Sequence, residues 1–209
     1  MCLFGRHTGG EVTMSTPFLV VKVGGSLYDL PDLTMRIRAW LERQNRARVL
    51  IVPGGGPLAD VVRHLDWTHG LGEEASHWLA IEAMSLAAHF LGRLLPEALL
   101  LPRVPGASDG RGPFILDPLP FFREDEEQPG HYPHRWDVTS DSLAVRVAVK
   151  ASAAELVLVK SVSWRSNDWA AASREGVVDS YFATAVLAAA GLRAQVVNLR
   201  RWPNDNIGE

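Results

Sequence analysis

The sequence has very little cysteine and no long hydrophobic run. Among its 209 residues the only cysteine is Cys2, which excludes a disulfide framework and a thiolate metal site and favours a reducing, cytoplasmic location. No stretch reaches the roughly 18 uncharged apolar residues that a membrane helix needs, so we expect no membrane partner. The formal net charge of −3 argues against nucleic acid as a partner.

Two common nucleotide-binding signatures are also missing. The chain has no G-x-x-x-x-G-K-[ST] loop, and it has no G-x-G-x-x-G followed about twenty residues later by an acidic residue. Its histidines form no closely spaced pair such as H-E-x-x-H, so we predict no preformed metal site. Any phosphate site in this chain must therefore have another design.

Short runs of β-branched and apolar residues alternate with helical patterns. The predicted strands are Phe18–Val23, Arg48–Val52, Ala98–Leu101, Pro113–Leu116, Glu155–Val159 and Ala194–Leu199. Helical patterns cover Asp32–Gln44 and Glu73–Leu95. This alternation predicts a three-layer α/β/α sandwich with a central, mainly parallel sheet, in a single domain over residues 17–209. Residues 1–16 lack the features of a secretory signal and are predicted to be a disordered leader.

One segment breaks the alternation. Phe121–Trp136 is polar and contains two prolines and two histidines, which predicts a surface excursion. We expect its acidic run, Glu124–Glu127, to be a solvated face rather than a cation site.

Two glycine clusters come directly after predicted strands. "VKVGGSL" leads the first strand into Gly24–Ser26, and "LIVPGGGPLAD" leads the second into Gly54–Gly56. In parallel sheets ligands bind beyond the carboxyl ends of the strands, and glycines let the backbone approach a ligand closely. A tight turn without a ligand explains either cluster alone, whereas the pair favours a phosphate site.

Lysine is rare in this sequence, and arginine supplies nearly all of the positive charge. The three lysines are Lys22, Lys150 and Lys160. Lys22 lies inside the first strand, where an unpaired ammonium costs several kcal/mol, so it needs an anionic partner or a route to water. A lysine beside a transferring phosphoryl group stabilises the charge on its oxygens. Lys22 fits that role, whereas for Lys160 a snorkelling side chain at a strand end is the more common explanation.

The segment "HRWDVTSDSLAVRVAV" predicts the start of a helix. Thr139–Ser142 supplies hydroxyl and carboxylate caps, and an apolar helical pattern follows. Asp141 has two interpretations: it caps the helix, or it orients lysine ammonium groups near phosphates and stays ionised because of them. Asp137, just before the cap, is a candidate for binding a substrate amine or Mg²⁺.

The motifs V-K-V-G-G-S, V-P-G-G-G-P and T-S-D-S-L-A, in this order, resemble those of the amino-acid kinase superfamily. That superfamily includes acetylglutamate, aspartate, uridylate and isopentenyl phosphate kinases. The resemblance implies an enzyme that uses ATP and Mg²⁺, acts on a small phosphate or carboxylate substrate and forms a homo-oligomer. The implied catalytic residues are Lys22, Asp141 and Lys160, and the implied nucleotide-binding residues are Gly24, Gly25, Ser26 and Lys160. The implied acceptor-binding residues are Gly54, Gly55 and Gly56, to which we add Asp137 and Thr139.

Within the superfamily, "GGGPLADVVR", "HWLAIEAM" and "WDVTSDSLA" most resemble the short kinases of methanofuran-type cofactor synthesis. Members of that group phosphorylate [5-(aminomethyl)furan-3-yl]methyl phosphate to its diphosphate. Glycine N–H groups suit the phosphate of such an acceptor, Asp137 its ammonium and Trp136 its ring. His77 and Trp78 are candidates either for lining this pocket or for packing, and we expect Trp78 to pack.

Two alternatives to this function remain open. One is a kinase that forms an acyl phosphate on a glutamate-like amino acid, for which a carboxylate-specific arginine would be the discriminating feature. The other is a non-catalytic nucleotide-binding or anion-binding protein. It is favoured because the T-D-V-D-G-[IV]-[YF] pattern of many superfamily members is missing after Lys160.

Overall fold

The computed structural model describes residues 18–203, which form a six-stranded parallel sheet. Its strands are β1 (Leu19–Val23), β2 (Arg48–Pro53), β3 (Leu99–Leu101), β4 (Gly112–Leu116), β5 (Glu155–Lys160) and β6 (Arg193–Asn198). They lie in the order β3-β4-β2-β1-β5-β6, and every neighbouring pair is parallel. The predicted leader, residues 1–16, lies outside the described residues.

Helices cover both faces of this sheet. They are α1 (Leu33–Gln44), α2 (Pro57–His69), α3 (Glu73–Leu94), α4 (Pro118–Asp125), α5 (Ser140–Lys150), α6 (Trp169–Arg174) and α7 (Phe182–Ala188). Within residues 18–203, no helix is long and apolar enough to cross a membrane. The result is the predicted three-layer α/β/α architecture.

Alternate residues of each strand supply two separate hydrophobic clusters. In β1, Val20 belongs to the cluster that includes α5, whereas Val21 and Val23 belong to the cluster that includes α1. Successive side chains of a strand point to opposite faces, so Lys22 shares the face of Val20 and points toward α5. The alternation of side chains along β1 thus places Lys22 on the face of the sheet that α5 covers.

The six predicted strands and the helices predicted at Asp32–Gln44 and Glu73–Leu95 are confirmed, with bounds that differ by at most one residue at either end. The surface excursion predicted for Phe121–Trp136 is wrong at its start. Phe121 and Phe122 lie in α4 and are buried in the core. The surrounding prolines and acidic residues obscure these two core residues in the sequence.

Asp125, within the acidic run predicted to be solvated, is also buried. Its carboxylate accepts hydrogen bonds from the Arg146 guanidinium at 2.7 and 2.8 Å, and the Lys150 ammonium lies 2.9 Å away. The pKa of Asp125 is lowered because these two cations outweigh the opposing effect of burial. Asp125 therefore fastens α4 to α5.

We expect Asp125→Ala to destabilise the protein by about 3 kcal/mol or more, because it leaves the buried Arg146 guanidinium without its counter-charge. Urea unfolding measures this change. The matched control is Glu124→Ala at the exposed neighbouring residue, which should cost under about 0.5 kcal/mol. Similar losses in the two variants would contradict a structural role for the buried ion pair.

Candidate active site

A cavity of about 410 Å³ lies beyond the carboxyl ends of the central strands. β1 lies between β2 and β5, and the chain builds the sheet outward from β1 in both directions. Such a topological switch point leaves a crevice at the ends of the strands. Lys22, Lys160, Gly55 and Gly56 are among the residues that line this cavity.

Two lysines and one aspartate form a buried ion-pair group at the base of the cavity. Asp141 Oδ1 lies 2.8 Å from Lys22 Nζ, and Asp141 Oδ2 accepts a hydrogen bond of 2.6 Å from Lys160 Nζ. Lys22 and Asp141 are each only 4% exposed. The two ammonium groups outweigh the effect of burial and lower the pKa of Asp141. Burial and the neighbouring Lys22 charge lower the pKa of Lys160.

The strand register brings the two lysines together. Lys22 of β1 is paired with Leu158 of β5, and Lys160 lies two residues further along the same strand. Residues two apart on a strand point to the same face, so both ammonium groups reach the same side of the sheet. Asp141 lies in the first turn of α5 and pairs with both ammonium groups.

Of the two interpretations of Asp141, the structure favours the pairing with lysines. The side chain that caps α5 is instead Asp179, a residue that the sequence analysis did not identify. Its carboxylate accepts hydrogen bonds from the backbone N–H and the hydroxyl groups of both Thr139 and Ser142. Burial and the nearby Asp141 charge raise the pKa of Asp179. The sequence signal was a single aspartate in "GVVDS", whose partners lie about forty residues earlier.

The segment around Asp179 also holds the second lysine. The Lys160 ammonium donates a hydrogen bond to the backbone carbonyl of Val177 as well as to Asp141. Residues 176–179 thus contact both the lysine and the start of the helix that carries the carboxylate.

The two glycine loops pack against each other. A Cβ atom added at Gly25 would lie 2.2 Å from Gly56 Cα, and Gly56 itself has a φ of +52°. A Cβ at Gly55 would lie 2.5 Å from the Ala59 Cβ. Contacts inside the protein therefore require glycine at these positions, whether or not a ligand approaches the same backbone.

Gly24 and Gly54 use their N–H groups within the protein. Gly24 N donates to the Val159 carbonyl and Gly54 N to the Val23 carbonyl, both at 2.8 Å. Gly24 still lines the cavity, but Gly54 is not among its lining residues. Acceptor binding by Gly54 stays a prediction, whereas Gly55 and Gly56 line the cavity.

The predicted contact of Asp137 with the acceptor stays a prediction. The Asp137 carboxylate accepts two hydrogen bonds from the Arg135 guanidinium, at 3.0 and 2.9 Å, and it is not among the residues that line the cavity. The local pairing with a cation two residues away satisfies this acid. Its neighbours Trp136 and Thr139 do line the cavity.

His77 and Trp78, each a candidate either for lining the pocket or for packing, occupy different positions. His77 lines the cavity. Trp78, as expected, packs in the core, where its indole N–H donates to Glu74 at 2.8 Å.

The site fits phosphate groups better than it fits a free metal ion. Two lysine ammonium groups share the Asp141 carboxylate at the base of the cavity, and the Asp179 carboxylate lies nearby. Within the described part of the chain, no group of three or more histidine, cysteine, aspartate or glutamate residues is arranged to hold a metal ion.

Comparison with known proteins shows one curated relative and a shared fold. No protein-family model matches the sequence. The [5-(aminomethyl)furan-3-yl]methyl phosphate kinase of Methanocaldococcus jannaschii is 27% identical over 147 residues, which cover 68% of this chain and 65% of that protein. The match thus spans somewhat less than two thirds of the relative's length.

Solved structures of uridylate (UMP) kinases share the fold. The Archaeoglobus fulgidus uridylate kinase has a TM-score of 0.59 at 18% identity, over 86% of this chain and 90% of that one. The Ureaplasma parvum UMP kinase has a TM-score of 0.60 at 13% identity, over 88% and 91%. At these identities the structural match establishes the fold alone.

We expect Asp141→Asn to destabilise the protein near neutral pH by about 3 kcal/mol or more, because two buried ammonium groups lose their counter-charge. The folded-state pKa of Asp141 is lowered, so its stabilising effect is complete above the ordinary aspartate pKa of about 4 and is lost as the pH falls through the lower folded value. The stability difference between wild type and variant should therefore shrink below about pH 4.

Urea unfolding between neutral and acidic pH measures this difference. Glu127→Gln, at an exposed acid outside the cavity, is the control and should follow the wild-type curve. Parallel curves for wild type and Asp141→Asn at all pH values would contradict the assignment of Asp141 as the ionised partner of both lysines.

Proposed function

We propose that the chain is a member of the amino-acid kinase superfamily and that it transfers the terminal phosphoryl group of ATP to a small acceptor that already carries a phosphate. The observation that carries this proposal is the buried group of Lys22, Asp141 and Lys160 at the switch point of the sheet. Its two ammonium groups would lie where a phosphoryl group passes between two ligands.

In this proposal Lys22 stabilises the charge that develops on the transferring oxygens. Phosphoryl transfer depends mainly on positioning and electrostatic stabilisation, which a buried ammonium of fixed position provides. Asp141 fixes the positions of both ammonium groups, and Lys160 adds the second positive charge. Mg²⁺, when bound with the nucleotide, neutralises further charge on the phosphate oxygens.

The nucleotide phosphates would lie on the β5 side of the cavity, beside Gly25 and Ser26. Ser26 Oγ is 2.9 Å from Ser161 Oγ, and the Ser26 carbonyl accepts a hydrogen bond of 2.8 Å from Arg200. These contacts connect the loop after β1 to the segments after β5 and β6. The acceptor would then lie on the β2 side, beside Gly55 and Gly56.

For the acceptor, we prefer [5-(aminomethyl)furan-3-yl]methyl phosphate, which would be converted to its diphosphate. The curated relative carries that activity in its name. A cavity of about 410 Å³ is within the usual size of small-ligand sites, and Trp136 supplies an aromatic surface in its wall. The predicted homo-oligomer stays a prediction.

The cavity does contain arginines that a glutamate-like acceptor would need. Arg63 and Arg135 both line it, but Arg63 pairs with Asp60 at 2.5 Å and Arg135 with Asp137 at 2.9 Å. A substrate carboxylate would have to compete with these acids. We therefore rank the acyl-phosphate reaction below phosphorylation of a phosphate ester.

An ATP-dependent assay with a panel of acceptors tests this function. We expect diphosphate formation from the aminomethylfuran phosphate with Mg²⁺, no turnover with chelator, and much weaker activity with UMP or glutamate. Preference for glutamate would favour the acyl-phosphate alternative. Nucleotide binding without turnover of any acceptor would contradict the proposed kinase activity and favour the non-catalytic alternative.

Lys22→Met keeps the apolar stem of the side chain and removes its charge. We expect kcat to fall by about 10² or more, with a smaller change in the KM for ATP, because the ammonium acts mainly in the transition state. Steady-state kinetics on the folded variant measure both values. Lys150→Met, at a lysine outside the cavity, is the control, and near-normal kcat in Lys22→Met would overturn the role of Lys22.

A further inference from the structure

One face of α3 forms a wall of the cavity. Met84, Ile81, His77 and Glu73 all line the cavity from this helix. Met84 lies beside the glycine loop, since its Cγ is 3.6 Å from the position of a Cβ at Gly55. With a rise of 1.5 Å per residue, His77 lies about 10 Å from Met84 along the helix and Glu73 about 16 Å. The wall therefore runs from the loop toward the outer end of the cavity.

His77 is stacked on a second imidazole that carries a positive charge. The ring centroids of His77 and His134 are 3.9 Å apart, and the rings are nearly parallel at 12°. One ring nitrogen of His134 contacts the Glu74 carboxylate, and the other lies 3.0 Å from the Glu126 carboxylate. Ionised carboxylates only accept hydrogen bonds, so His134 donates through both nitrogens and is protonated.

The pKa values of the two histidines agree with this assignment. Burial opposes the charge on His134, but its bonds to Glu74 and Glu126 outweigh burial and raise its pKa. Burial and the charge on His134 lower the pKa of His77 to about 4. His77 is therefore a neutral imidazole near neutral pH, and one of its ring nitrogens is a hydrogen-bond acceptor.

The charged groups around His77 are the cations His134 and Arg123 and the carboxylates of Glu73, Glu74 and Glu126. His134 carries one positive charge between the two carboxylates of Glu74 and Glu126. Glu73 adds another carboxylate, and among the described residues the structure gives it no ion-pair or hydrogen-bond partner. The base of the cavity holds the ammonium groups of Lys22 and Lys160. Lysine ammonium groups thus lie at the base, and the carboxylate of Glu73 lies at the outer end.

We propose that the outer end of the cavity binds a positively charged amino group of the acceptor, with His77 accepting its hydrogen bond and Glu73 supplying the opposite charge. This inference rests on the proposed function and deepens it, because it defines the acceptor as a zwitterion. The phosphate of the acceptor lies toward Lys22, and its ammonium lies along α3. His77 and Glu73 then take the role that the sequence analysis gave to Asp137.

Two acceptors that differ only in the amino group test this assignment. One is the aminomethylfuran phosphate, and the other has a methyl group in place of the aminomethyl group. We expect the wild type to prefer the amine by about tenfold or more in kcat/KM, the equivalent of one hydrogen bond to a charged group. His77→Phe keeps a ring stacked on His134 and removes the acceptor nitrogen, so this preference should fall by about tenfold.

Glu73→Gln should reduce the preference in the same direction, because it removes the negative charge and keeps the shape of the side chain. The matched control is His89→Phe, at an exposed histidine of α3 that does not line the cavity. It should retain the wild-type preference. Equal losses for both acceptors in His77→Phe, or an unchanged preference, would overturn the assignment of His77.

Calorimetric binding of the two phosphates separates this inference from the proposed function, because it needs no turnover. Tighter binding of the amine by wild type, weakened in His77→Phe, supports the amino-group site even if no acceptor is phosphorylated. Equal binding of the two compounds by wild type overturns the inference, whatever the kinase assay shows.

Discussion

The structure depends on one buried carboxylate, Asp141, between the buried ammonium of Lys22 and the partly buried ammonium of Lys160. Removing three charges from water costs several kcal/mol per ion, which only close pairing repays. Asp141 can pair with Lys22 and Lys160 because β1 and β5 are adjacent and parallel and because α5 begins directly above them. Asp179 fastens that helix start. The same contacts that stabilise the fold therefore fix the charges of the candidate active site.

The two glycine loops have a structural reason for their glycines that is independent of any ligand. Glycines after two strands predict close approach of the backbone to a ligand, yet Gly25 and Gly56 are already required by the contact between the loops. Their presence is therefore explained by packing before any ligand is considered. The stronger argument for phosphate chemistry is the unusual lysine inside a buried strand, which must have an anionic partner.

Local patterns in the sequence predicted the strands and the need of Lys22 for a counter-charge, because both follow from short-range periodicity and burial. The partner of a side chain was harder to predict. Asp179 meets residues about forty positions away, and the stack of His77 on His134 joins two elements that no periodicity relates. Asp137, which we predicted to contact the acceptor, pairs with a neighbouring arginine. Sequence patterns define which face a residue occupies, but three-dimensional packing decides what it meets.

The most direct test of the phosphoryl-transfer centre is a crystal structure with ADP, Mg²⁺, aluminium fluoride and the aminomethylfuran phosphate. We expect the aluminium fluoride, which mimics the transferring phosphoryl group, to lie within about 3 Å of Lys22 Nζ. It should also lie between the loop at Gly25 and the loop at Gly56. A nucleotide bound elsewhere, or a fluoride group remote from Lys22 while the ion pair with Asp141 stays closed, would contradict the central claim.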